Sequence, residues 1–83
     1  MTTPTEPRVH VDVRRHILAD MRQIWLNTRY QTEIELKIQD RLHQTLGRAN
    51  DEAQRALTDR LRDVAVALDT IDAEVESLGP PAA

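Results

Sequence analysis

Leu57, Leu61, Val64, Leu68, Ile71, Val75 and Leu78 recur at alternating steps of four and three. On a helix of about 3.6 residues per turn these steps keep every one of them on a single narrow stripe, the a/d seam of a coiled coil. The outer face of the same segment is polar apart from Val66. Asp51–Arg55, Arg55–Asp59 and Arg60–Asp63 have the spacing of helical ion pairs, worth about 0.2–0.5 kcal/mol each. The pattern predicts one helix with one buried face.

The preceding segment is different. From Val13 to Leu46 nothing breaks a helix, but the apolar positions fill a broad arc. Ile34 and Ile38 lie on one side of it, Ile17, Met21, Ile24 and Leu42 in the middle, and Leu18, Trp25 and Leu36 on the other. At about 100° per residue the arc covers about 200°, roughly twice the width of one buried face. A single antiparallel partner cannot cover it. The expectation is that this helix packs on its own successor and on a second chain as well. Ile24 is expected near Ile71 and Val75, and Ile38 near Leu57 and Leu61. Leu18, Met21, Trp25, Thr32, Leu36 and Gln39 are assigned to the oligomer interface.

Punctuation sets the limits of these elements. Gly47 suits a helix C-terminus, and Asn50 can cap the next helix, with Asp51 and Glu52 favoured in its first turn by the helix dipole. Gly79-Pro80-Pro81 stops that helix. Before Asp12, Pro4 and Pro7 and the alternation of Val9, Val11 and Val13 read as an extended lead-in; a helix starting near Thr5 is the alternative, since proline is tolerated in a first turn. The predicted organisation is a flexible arm over 1–11, helices over about 12–46 and 50–78 forming a helical hairpin, and a disordered tail over 79–83.

Charge supports folding back at Gly47. Residues 8–31 carry five Arg against two Asp, and residues 63–78 carry five acids and no base. A hairpin lays these segments side by side, with Arg29 near Asp69 and Arg22 near Glu76. Each exposed pair contributes little, but an acidic cluster at a helix C-terminus is otherwise unfavourable.

Composition narrows the classes. The chain has 83 residues, no cysteine and a formal charge of −3. A core this small is marginal without a staple, and self-association is the one left when disulfides and thiolate metal sites are excluded. Ten of the eleven basic residues are Arg and one is Lys37. The net negative charge argues against a general nucleic-acid binder. No apolar run approaches a membrane span, and Met1 to Arg8 lacks the apolar stretch of a signal peptide, so a cytoplasmic protein is expected. Trp25 and Tyr30 are the only aromatic residues, which leaves an aliphatic core suited to helix seams.

The segment around Tyr30 holds the candidate chemistry. Thr28, Gln31, Thr32, Glu35 and Gln39 fall inside the apolar arc of the first helix. A buried polar layer that fixes register and oligomer number is one reading. An inter-subunit pocket for a small anionic ligand such as a nucleotide, lined by Thr28, Arg29, Tyr30, Gln31 and Glu35 and their symmetry mates, is the other. Arg14-Arg15 with Arg8 and Arg22 makes a modest basic patch, whose expected partner is the acidic end of the second helix. Asp12 and His16 have metal-compatible spacing but no third ligand, so no metal or other cofactor is expected. No glycine-rich phosphate loop and no nucleophile elbow occurs, and the protein is not expected to be an enzyme. The reading is an all-α homo-oligomer, most simply a dimeric four-helix bundle, that binds a protein partner as an adaptor, regulator or inhibitor. Sequestration of an anionic ligand and a structural role in a larger assembly are the alternatives. Helical hairpins of this length recur among bacterial and phage regulators and small inhibitors of host defence, a likeness of shape alone.

Overall fold

A computed structural model of the chain describes residues 6–79. Two helices, α1 (Glu6–Leu46) and α2 (Asp51–Ser77), pack against each other as an elongated hairpin with extents of 68 × 20 × 15 Å. The ends of the arm and tail, residues 1–5 and 80–83, lie outside the described residues.

The start of α1 corrects the sequence reading. Residues 6–11 are helical, not an extended lead-in. The alternation of Val9, Val11 and Val13 has no second strand to pair with, whereas a helix satisfies the backbone by itself. Pro7 falls in the first turn, where a missing N–H costs nothing.

The turn follows from its residues. Gly47 sits at φ 73°, in the left-handed region, and its N–H donates to the His43 carbonyl at 2.9 Å. Glycine adopts this conformation without the Cβ clash that other residues meet. Asn50 caps α2: its side-chain oxygen accepts from the Ala53 N–H at 3.0 Å. At the far end the Leu78 and Gly79 N–H groups donate to the Val75 and Glu76 carbonyls, and Gly79 turns the chain at φ 78°.

The core is the seam of α2. Leu57, Val64, Leu68 and Ile71 are buried, and Leu61, Val75 and Leu78 half-buried. The matching row on α1 is Val11, Arg15, Leu18, Trp25, Thr32, Leu36 and Gln39, all half-buried except Thr32, which is fully buried at 0 % exposure. The side of α1 that faces α2 is therefore the one expected to face another chain. Ile24, expected against Ile71 and Val75, is 63 % exposed. Ile38 borders a shallow groove with Leu57, Ala53 and Ala56 but stays half-exposed.

Ion pairing departs from expectation in detail. Arg22 donates through Nε to Asp72 at 3.0 Å, one turn nearer the loop than Glu76. Arg29 lies 4.0 Å from Glu33 on its own helix, not beside Asp69. Arg60 reaches across to Glu35 at 3.0 Å instead of to Asp63, and Arg62 lies 3.8 Å from Asp59. The basic start of α1 does lie along the acidic end of α2. Arg15 makes the deepest of these contacts, donating through Nη2 to the Gly79 carbonyl at 2.7 Å, while its stem packs between the helices.

Candidate functional site

The residues assigned to an anionic pocket do not converge within one chain. The Thr28 hydroxyl donates to the Ile24 carbonyl at 3.1 Å, and the Thr32 hydroxyl to the Thr28 carbonyl at 2.7 Å. Both hydroxyls are thus satisfied on their own helix. Tyr30 is 67 % exposed, and two residues apart on a helix point about 160° apart, so its ring and Thr28 lie on opposite sides of α1. Gln31 is exposed. Arg29 is engaged by Glu33, and the Glu35 carboxylate accepts from Arg60.

The residues assigned to the oligomer interface divide. Leu18, Trp25, Thr32, Leu36 and Gln39 form the intramolecular row against α2. Met21 is the exception, exposed on the other side.

What lies open is a second apolar stripe. Val13, Ile17, Met21, Ile24, Ile34, Ile38, Leu42 and Leu46 are all exposed on α1, whereas α2 exposes only Val66 among its described large apolar side chains. The stripe runs along one flank of the hairpin and is interrupted by Thr28, Gln31 and Glu35. Two shallow grooves border it. Arg14, Ile17, Leu18, Glu74 and Leu78 line one near the chain ends, and Glu35, Ile38, Gln39, Ala53, Ala56 and Leu57 line the other near the turn. Exposed apolar patches larger than a few hundred Å² are uncommon on monomeric proteins.

This stripe was hidden in the sequence by a second regularity beside it. Val11, Leu18, Trp25, Thr32 and Gln39 recur at a step of seven, with Arg15, Leu36 and their neighbours filling the seam between. That row is less apolar than the outer one, yet it is the one α2 covers.

His16 lies 3.7 Å from Asp20, both exposed, and Asp12 and His16 border a surface patch with Val13 and Ile17. Among the described residues no three His, Asp or Glu side chains come together. No described helix is long and apolar enough to cross a membrane. Searches against protein-family models, curated proteins and solved structures found no match to this chain.

Proposed function

We propose that this protein is a small helical-hairpin module that self-associates through the outer stripe of α1 into a four-helix bundle and acts by binding a protein partner, without chemistry of its own. The observation that carries this reading is the row of exposed aliphatic side chains from Val13 to Leu46. Each large aliphatic side chain withdrawn from water contributes up to about 1.5–3 kcal/mol, less for those already half-covered. Against this, the hairpin alone buries only four apolar residues among those described. A long, narrow hydrophobic strip suits a helix as its occupant.

Sedimentation velocity of the wild type and of an Ile17→Glu/Ile38→Glu variant tests the reading. Both side chains are 51 % exposed and lie outside the buried seam of Leu57, Val64, Leu68 and Ile71, and the variant's helicity by circular dichroism checks that the hairpin is retained. The expected result is a discrete oligomer for the wild type and a helical monomer for the variant. A wild type that is a folded monomer at tens of micromolar would overturn the proposal, as would a variant that assembles unchanged. Native mass spectrometry reads the ligand alternative from the same samples. Non-protein mass retained by the wild type and lost in Arg29→Ala, with assembly intact, would favour sequestration of an anion.

A further inference from the structure

Resting on the self-association reading, we infer that the occupant of the outer stripe is the same stripe of a second copy running antiparallel, with a two-fold axis near the junction of Arg29 and Tyr30. The stripe is close to palindromic about that point. Met21 and Ile38, Ile17 and Leu42, and Val13 and Leu46 lie at equal separations on either side of it, and Ile24 is matched by Ile34 with an offset of one residue. Thr28 and Gln31, within the polar interruption, are also equidistant from the junction.

A closed dimer of two identical helices laid antiparallel requires this symmetry, because each position meets its reflection and not itself. In the resulting register Ile17 meets Leu42 of the second copy, Met21 meets Ile38 and Thr28 meets Gln31. Each is an a-to-d layer, the pairing that antiparallel coiled coils use. Polar meets polar at the centre, aliphatic meets aliphatic in the Met21–Ile38 and Ile17–Leu42 layers, and Ile24 and Glu35 form the one mixed layer between them.

Charge selects the same direction. Asp20 and Arg41 flank the stripe on one side, at nearly equal separations from the axis. The antiparallel register places Asp20 of each copy beside Arg41 of the other, twice per dimer. A parallel dimer would instead stack Glu35 on its own mate within the stripe and set the Arg14 side chains of the two copies together. Like charges so placed are destabilising. In the antiparallel arrangement Glu35 meets the Ile24 region through its aliphatic stem, while Arg60 of its own chain holds the carboxylate at 3.0 Å. The two bordering grooves, at Ile17 and at Ile38, fall on opposite sides of the axis and are brought to opposite copies.

Cysteine crosslinking tests the register without background, because the chain has no cysteine of its own. Chains carrying Ile17→Cys and chains carrying Leu42→Cys are mixed, equilibrated and treated with a short bismaleimide; Met21→Cys with Ile38→Cys is an independent pair should either of the first fail to fold. The expected result is crosslinked dimer in each mixture and little in any single variant, because Ile17 lies about 35–40 Å from its own mate. Asp20→Arg should weaken the dimer several-fold, and Asp20→Arg/Arg41→Asp should restore it. Efficient crosslinking of single variants to themselves would overturn the antiparallel arrangement in favour of a parallel one. A dimer by sedimentation that crosslinks in neither mixture would overturn the register. A wild type that sediments as a monomer would overturn the self-association reading itself, so the failures are distinguishable.

Discussion

Thr32 and Val64 are the two largest fully buried side chains described, and they occupy the middle of the interface between the helices. The pairing of a small polar residue with a branched apolar one is tolerated because the Thr32 hydroxyl spends its hydrogen bond on the Thr28 carbonyl 2.7 Å away, on the same helix. Nothing on α2 depends on that hydroxyl. Thr32→Val should therefore leave stability unchanged or raise it by up to about 1 kcal/mol, by trading a buried hydroxyl for a methyl group. Urea unfolding measures this, and a loss of more than about 1 kcal/mol would mean that the hydroxyl serves a partner off its own helix. Leu57→Ala, in contrast, should cost about 2–5 kcal/mol, while Val66→Ala on the open face of α2 should change stability by no more than about 0.5 kcal/mol. At this scale the sequence was least legible. A buried Thr32 on the same helix as an exposed Ile24 inverts the usual preference, and hydrophobicity alone ranks those two positions the wrong way round. The anionic pocket, expected between subunits, is not assembled within one chain. Helical geometry keeps Thr28 and Gln31 on one side of α1 and turns Tyr30 away from them, so a second chain would have to complete the site.

The elements themselves follow from local signals. The seam of α2 is read directly, since its polar outer face leaves one apolar stripe and one partner to cover it. The turn is equally direct, because Gly47 takes the left-handed conformation and Asn50 the cap. Asn50→Ala should destabilise the hairpin by about 0.5–2 kcal/mol through the loss of the Ala53 N–H acceptor. The end of α1 at Leu46 was read from Gly47, but its start and its orientation were not legible. The valines at its start mimic a strand, and the arc beyond them contains two overlapping stripes that a wheel projection cannot assign. What decides between them is fit to α2. Arg15 and Trp25 are half-buried in the row facing α2, and Arg15 reaches the Gly79 carbonyl just beyond the end of the opposite helix, closing the far end of the hairpin as the Gly47 turn closes the near end. Arg15→Ala should consequently loosen that end locally. Hydrogen exchange should accelerate at the amides of residues 75–79 with little change at residues 57–64. Uniform acceleration along α2 would show that the contact has no such local role.

At the scale of the whole molecule, the hairpin is one long contact between two helices with its larger aliphatic row on the outside. A globular domain withdraws its best hydrophobic surface; this chain keeps much of it on one flank of α1, from Val13 to Leu46. The account holds that a second copy covers that flank and that the folded state is stabilised by assembly. Anything that binds the native state alone raises its stability with its own concentration, and here the binding partner is the protein itself. The direct measurement is thermal unfolding, followed by circular dichroism over a hundredfold range of protein concentration. The account expects the melting temperature to climb steadily with concentration, and to lose that dependence in the Ile17→Glu/Ile38→Glu variant. A wild-type melting temperature that stays constant across the range would contradict it.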